Sequence, residues 1–149
     1  MKDTKKQAVI HMRTLQKLDG EQIPIELTTT GTVYTKNDKT YITYKESELT
    51  GFEGTTTTLK ADKSKVVIKR FGAFPSMMVF EKGEWHHSIY ETQMGALSVS
   101  TLASEIYNNL EKDKPELKII YDIELNNLFI LKNEINIKIE ESKNAGSKS

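Results

Sequence analysis

Between Leu117 and Glu141 the chain alternates apolar and polar residues at nearly every step. Successive side chains of a β-strand point to opposite faces, so a period of two marks a strand with one buried face. Two such segments flank Asn126-Asn127, which is a turn signal. The sequence therefore predicts an antiparallel hairpin whose odd-numbered residues face the interior. Those residues are Leu117, Ile119, Tyr121, Ile123, Leu125, Phe129, Leu131, Ile135, Ile137 and Ile139.

Alternating segments also recur earlier in the chain, separated by turn signals such as Asp19-Gly20 and Asn37-Asp38. A long one runs from Ile23 to Tyr34, and Gly31 within it predicts a bend or a bulge. The chain as a whole gives about eight to ten strands. Several are long, which favours a coiled barrel over a flat sandwich, and closure removes exposed edges. We predict an all-β fold, a single antiparallel, mostly up-and-down β-barrel over residues 1–141, followed by a disordered tail at residues 142–149.

One segment leaves two alternatives open. Leu102, Ile106 and Leu110 recur at a spacing of four, which is typical of a short amphipathic helix. The same residues could equally continue the preceding strand. Pro115 ends the segment in either case.

Composition narrows the class of protein. The 149 residues are enough for one domain with a substantial core. Twenty-one basic residues balance twenty-one acidic residues, so no net field attracts nucleic acid or an anionic membrane. The chain has no cysteine, which excludes disulfides and thiolate metal sites. It shows no secretory signal pattern and no apolar run long enough for a membrane helix, so we expect a cytoplasmic protein.

Residues that could carry chemistry do not converge in the sequence. His86 and His87 are adjacent on a predicted strand, so their side chains point to opposite faces and cannot readily share a metal ion. Nucleophile elbows, P-loops and dinucleotide fingerprints are absent from the sequence. Carboxylates such as Glu46, Glu91 and Asp122 are interpreted as separate solubilising charges. We therefore expect a protein that is not an enzyme and has no metal or cofactor.

A set of short motifs is spread over residues 8–140 of the chain. They are Gly31, Tyr34 and Lys36; Tyr41, Tyr44 and Glu46; Arg70-Phe71-Gly72; Met78-Val79-Phe80 and Gly83; Tyr90-Glu91-Thr92 and Gly95; Thr101 and Ile106; and Tyr121-Asp122. Together they resemble the YwiB-like family of uncharacterised bacterial proteins. The resemblance implies a calycin-type, lipocalin-like β-barrel in which residues 101–110 are extended. That family has no assigned activity, so the resemblance implies a fold and no mechanism.

Arg70 is the strongest candidate for a role inside the barrel. It shares its parity with Val66 and Ile68, which predicts that it points inward while Lys69 points to water. A buried cation without a partner is very costly, so Arg70 requires a carboxylate, a tyrosine hydroxyl or the head group of a ligand. The candidate hydroxyls are those of Tyr44, Tyr90 and Tyr121. An interior arginine binds an amphipathic ligand in some calycin proteins, and the family resemblance implies the same option here.

These observations favour a non-enzymatic binding module that takes a small apolar or amphipathic ligand, an acid among the candidates, into the barrel interior. Its candidate ligand-binding residues are Arg70, Tyr44, Tyr90 and Tyr121. A small closed barrel either fills its centre with side chains or holds one small ligand. The alternative is therefore a structural or protein-interaction module with a side-chain-filled barrel. An enzyme on the same barrel would require converging acid–base groups. We expect no nucleic-acid or membrane partner, and the sequence identifies no protein partner.

Overall fold

The structure is a computed structural model, and it describes residues 4–18, 20–46, 54–72, 75–92 and 95–141. Within these ranges the chain forms ten β-strands and no helix, so no helical segment there is long and apolar enough to cross a membrane. The strands are β1 (Thr4–Leu18), β2 (Glu21–Lys36), β3 (Lys39–Lys45), β4 (Thr55–Ala61), β5 (Lys65–Gly72), β6 (Ser76–Glu81), β7 (Trp85–Thr92), β8 (Gly95–Asn109), β9 (Glu116–Leu125) and β10 (Phe129–Glu141). The predicted disordered tail at residues 142–149 lies outside the described residues.

All ten strands belong to one antiparallel sheet. Its order is β6-β5-β4-β3-β2-β1-β10-β9-β8-β7. Strands that follow each other in the chain are therefore neighbours in two halves, β1 to β6 and β7 to β10, and the β1–β10 pair joins the halves. The sheet curls into a nearly closed barrel. This confirms the predicted all-β, mostly up-and-down barrel.

The barrel closes where β6 meets β7, a junction that we call the seam. These strands are the two ends of the sheet, and a tight turn links them, with one bridge between Glu81 and Glu84 and another from Lys82 in the turn to Ala103 on β8. Side chains supply further contacts across the junction. The Thr101 hydroxyl on β8 donates a hydrogen bond to the Val79 carbonyl at 2.7 Å, and His86 lies 2.9 Å from Glu81. The seam is thus held by fewer backbone hydrogen bonds than the other strand junctions.

The predicted hairpin is confirmed. β9 pairs with β10 in a continuous antiparallel register, and Asn126 and Asn127 both have positive φ, as a two-residue hairpin turn requires. Most of the odd-numbered side chains are buried, and Ile123 and Ile139 pack against the core. The buried ones are Leu117, Ile119, Tyr121, Leu131, Ile135 and Ile137. The side chain of Phe129 lies outside the described part of the structure.

The ambiguous segment is extended and belongs to β8. The register between β8 and β9 shifts between Ala103 and Glu105, which marks a β-bulge. Before the bulge the odd-numbered Val99 and Ala103 face the core, whereas after it the even-numbered Ile106 and Leu110 do. This change of parity explains why no single period of two covers the segment, and why its apolar residues imitate helical spacing.

Gly31 allows β3 to approach β2 closely. The register with β1 passes through Gly31 without a shift, and the pairing with β3 begins at Gly31, so the predicted bulge is wrong, whereas the alternative of a bend stays a prediction. A Cβ atom at this position would lie 2.3 Å from the carbonyl oxygen of Thr43 and 2.8 Å from Cδ1 of Ile10. Backbone occupies the space that a side chain would need. A glycine is therefore required by packing at this point of the barrel.

Gly31→Ala is expected to lower the free energy of unfolding by about 1–3 kcal/mol, because the new methyl group overlaps backbone that cannot move aside. Urea unfolding of the purified variant measures the loss. Thr30→Ala, at the preceding exposed position of the same strand, is the matched control. An equal loss in both variants would show that the close contact at Gly31 is not the cause.

Candidate functional site

Polar side chains point into the barrel from three neighbouring strands. Tyr44 on β3 pairs with Thr57 on β4, and Thr57 pairs with Arg70 on β5. Residues opposite each other on adjacent strands point to the same face, so the three side chains form one interior row. Glu46 lies two residues after Tyr44 and its side chain is buried on the same face. This row is one side of a larger cluster, the interior network.

Glu46 is at the centre of the interior network. Its Oε2 atom accepts a hydrogen bond from the Thr57 hydroxyl and lies 3.5 Å from Nε of Arg70. Nη1 of Arg70 in turn donates to the Tyr90 hydroxyl at 3.5 Å. The Glu46 side chain is 1% exposed and that of Arg70 is 17% exposed. A carboxylate and a guanidinium group are therefore held together where little water screens their charges.

A second polar pair, Tyr121 and Asn133, faces this group from the opposite wall of the barrel, and Tyr121 is close enough to Tyr90 and Arg70 for them to influence its pKa. These residues are register partners on β9 and β10, and Nδ2 of Asn133 donates to the Tyr121 hydroxyl at 3.2 Å. Tyr44 contributes a further contact, since its hydroxyl donates to Sδ of Met12 at 3.9 Å. The interior network consists of Tyr44, Glu46, Thr57, Arg70, Tyr90, Tyr121 and Asn133. All four residues proposed from the sequence to bind a ligand therefore lie in it.

Burial raises the pKa of the three tyrosine hydroxyls. It raises the pKa of Tyr121 to about 12, and the hydrogen bond from Asn133 opposes the shift. The pKa of Tyr44 is raised mainly by burial and further by the negative charge of Glu46. Burial also raises the pKa of Tyr90, against the positive charge of Arg70. At neutral pH all three hydroxyls are therefore uncharged and can both donate and accept.

Three buried oxygen atoms in this region have no hydrogen-bond partner among the described residues. They are Oε1 of Glu46, Oδ1 of Asn133 and Oγ of Ser76. Ser76 is the register partner of Arg70, which places it beside the network. A buried oxygen without a donor is unfavourable, and most of all when it belongs to a charged group. The interior network thus contains hydrogen-bond acceptors that its own side chains do not use.

A cleft of about 960 Å³ opens at the other end of the barrel. Its inner lining includes Ala8, Val33, Leu110 and Ile139, and loop residues 111–115 border it. Thr40 also lines the cleft and lies four residues before Tyr44 on β3, about 13 Å along an extended strand. The cleft is therefore separate from the interior network.

His86 and His87 have different partners. Nε2 of His86 contacts Glu81 across the seam, whereas the His87 ring contacts the hydroxyls of Ser98 and Ser100 on β8. Within the described ranges, no group of three or more His, Cys, Asp or Glu side chains is arranged to hold a metal ion. The adjacent histidines thus take part in local contacts on two sides of β7.

Glu46 is buried, so the interpretation of its carboxylate as a solubilising surface charge is wrong. The side chain is buried because it continues the inward parity of Ile42 and Tyr44 just beyond the last residue of β3. In the sequence, this parity was the signal that Glu46 faces the interior. Asn133 was missed for a similar reason, since it is a polar residue on the odd, inward parity of β10. A polar residue that falls on the buried parity of a strand is therefore the sign that identifies this network.

The Glu46–Arg70 pair is expected to show strong energetic coupling. Arg70→Met alone should lower the free energy of unfolding by about 3–5 kcal/mol, because it leaves the buried Glu46 carboxylate without its cation. Adding Glu46→Gln should recover part of this loss, with a coupling energy of about 0.5–3 kcal/mol. Urea unfolding of the parent protein, the two single variants and the double variant gives the free energies of unfolding from which the coupling energy is calculated.

Arg13 and Glu26 provide the control cycle. They lie 3.3 Å apart on the outer surface, where their side chains are 52% and 72% exposed. Arg13→Met and Glu26→Gln should couple by no more than about 1 kcal/mol. Equal coupling in both cycles would contradict the special position of the buried pair.

Stability is expected to fall as the pH rises from about 10 to about 12. Unfolded tyrosines ionise near pH 10, while Tyr121 in the folded state keeps its proton to about pH 12, so the unfolded state binds fewer protons over this range. Tyr121→Phe should reduce the slope of the free energy of unfolding against pH by up to about 1.4 kcal/mol per pH unit. Urea unfolding at a series of alkaline pH values measures the slope. Tyr107→Phe, at an exposed position, should leave it as it is in the parent protein.

Comparison with known proteins agrees with the barrel and with the family resemblance. Residues 10–137 match a family described as a domain of unknown function, DUF1934. The chain is 30% identical over 114 residues to the uncharacterized beta-barrel protein YwiB of Bacillus subtilis (strain 168), covering 76% of this chain and 79% of that protein. It also resembles the crystal structure of the ywiB protein from Bacillus subtilis, with a TM-score of 0.81, 25% identity and 93% of each chain covered. The chain therefore belongs to the DUF1934, or YwiB-like, family of β-barrel proteins.

Proposed function

We propose that this protein is a non-enzymatic, cytoplasmic binding module that takes a small amphipathic molecule into its barrel, in the manner of calycin-type, lipocalin-like barrels. The polar part of the ligand contacts the interior network, with Arg70, Tyr44, Tyr90 and Tyr121 around it. The observation that supports this most is the set of buried, unused acceptors beside a buried ion pair. A ligand that supplies donors would satisfy them.

The energetics of the ion pair support a role beyond folding. Replacing a buried ion pair by well-packed apolar residues is often neutral, or stabilising by about 1–4 kcal/mol. Stability alone therefore does not explain why Glu46 and Arg70 occupy the interior of the barrel. Binding of a partly polar molecule would explain it, because charged and hydrogen-bonding groups in an apolar site fix the orientation of a ligand.

Inward-facing apolar side chains are available for the remainder of the ligand. Several of them pack against the core yet are only partly buried, and they include Met12, Leu27, Ile68, Met78 and Ile123. Met12 touches the Tyr44 hydroxyl, so at least one of them adjoins the network directly. Methionine side chains are flexible and adapt to ligands of different shape. These residues would contact the apolar part of the proposed ligand.

Met77 and Met78 provide a matched pair of variants for this proposal. They are adjacent on β6, but Met78 packs against the core while Met77 is exposed on the outside. If the ligand lies in the barrel, Met78→Ala should weaken binding of the neutral dye Nile red about tenfold, and Met77→Ala should leave it unchanged. Fluorescence titration measures both affinities.

Native mass spectrometry of the freshly purified protein accompanies the titration. A bound small molecule that Nile red displaces would support the proposal. A protein that carries no ligand and gives no saturable dye signal would overturn it.

A protein-interaction role is the second candidate. Four large apolar side chains are exposed on the outer faces of β5, β6 and β7, namely Phe71, Met77, Trp85 and Ile89. Exposed apolar patches on a soluble domain mark contacts with other molecules. In that case Met77 and not Met78 would carry the binding energy, so the same pair of variants separates the two functions.

A further inference from the structure

We propose that the ligand presents a hydrogen-bond-donating head group, an amine or an alcohol, to Glu46, and that the site selects against carboxylates. This inference rests on the proposed function, because it assumes that a small molecule enters the barrel. It names the chemistry of the head group, and it reverses the expectation that an interior arginine recruits an acid.

Arg70 already has partners for its donors. Its Nε atom faces Oε2 of Glu46, and its Nη1 atom donates to the Tyr90 hydroxyl. An incoming carboxylate would have to displace Glu46 from Arg70 or lie next to it with the same charge. Both arrangements are unfavourable in an interior where little water screens the repulsion. The guanidinium group is thus committed to the protein's own carboxylate.

One carboxylate oxygen of Glu46 accepts no hydrogen bond from the described residues. Thr57 and Arg70 both contact Oε2, while Oε1 is buried without a hydrogen-bond partner in the described part of the chain. Either oxygen of a carboxylate can only accept, so rotation of the group does not remove the deficit. Only a donor can satisfy it. An ammonium group brings three donors and no acceptor, and a hydroxyl group brings one donor.

The surroundings of Glu46 are compatible with such a head group. Tyr44 and Tyr90 are both buried. The charges of Glu46 and Arg70 both act on the pKa of Tyr44, and the charge of Arg70 acts on that of Tyr90. Their hydroxyls are uncharged and can donate or accept, so they adapt to an amine or an alcohol. Ser76, with its own unpartnered hydroxyl, lies opposite Arg70 in the register. No further anion is required for the ligand to be held.

A chain-length-matched series of competitors tests the inference on the intact protein. Dodecylamine, dodecanol and dodecanoate are titrated against bound Nile red at pH 7, with the two ionic compounds below their critical micelle concentrations and dodecanol below its solubility limit. We expect the amine or the alcohol to displace the dye at a concentration at least tenfold lower than dodecanoate, a difference of about 1.4 kcal/mol. Dodecanoate binding as well as or better than both would overturn the inference and leave the proposed function intact. Failure of all three to displace bound dye would overturn the inference and count against the proposed function.

Glu46→Gln tests the residue itself. The neutral amide should reduce the preference for dodecylamine over dodecanoate at least tenfold, while Glu26→Gln on the outer surface should leave it unchanged. If Glu46→Gln does not fold, Tyr90→Phe serves as the second variant. It frees one Arg70 donor and should therefore improve dodecanoate binding relative to dodecylamine. An unchanged preference in the folded variant would overturn the role of Glu46.

Discussion

The long ladder between β1 and β10 holds the barrel together. Strands β1 to β6 and strands β7 to β10 are each a simple meander, and apart from the seam these two strands alone join them. Their register is continuous from Ala8–Glu141 to Lys17–Lys132, and it places Ile10 beside Ile139 in the core. The interior network depends on this ladder. Glu46 and Arg70 come from the first half, whereas Tyr90, Tyr121 and Asn133 come from the second.

Much of the fold could be predicted because most strands bury one face and expose the other, although residues 21–26 of β2 are exposed on both faces. The hairpin that begins at Leu117 shows this most clearly, since most of its apolar residues, and all of its buried ones, fall on the odd parity. The prediction became ambiguous in β8, where a bulge near Ala103 moves the buried parity from odd to even. A local pattern does not contain this information, because the bulge is defined by the partner strand. Gly31 is similar, since only the approach of β3 explains it.

The candidate site was predictable in part. Arg70 follows the buried parity of β5, and the cost of burying an unpaired cation required a partner of a type that Glu46 and Tyr90 supply. Parity marks Glu46 as facing inward, but its pairing with Arg70 was not predictable, because the two residues meet only when three strands are in register. The opposite cleft was also not predictable. It depends on how the loop after β8 lies over the barrel end.

Because of the seam, some parts of the barrel wall open more easily than others. Amide protons of β1 and β10 are hydrogen-bonded to neighbouring strands on both sides, so their exchange with solvent requires a strand junction in the middle of the sheet to open. Amide protons on the free edges of β6 and β7 have no such neighbouring strand. When the seam opens, the tight turn still connects β6 to β7. Local opening there costs less free energy than global unfolding. Ser76 and Tyr90 lie on these two strands, far from the turn, so the least protected part of the wall is also the part that borders the interior network.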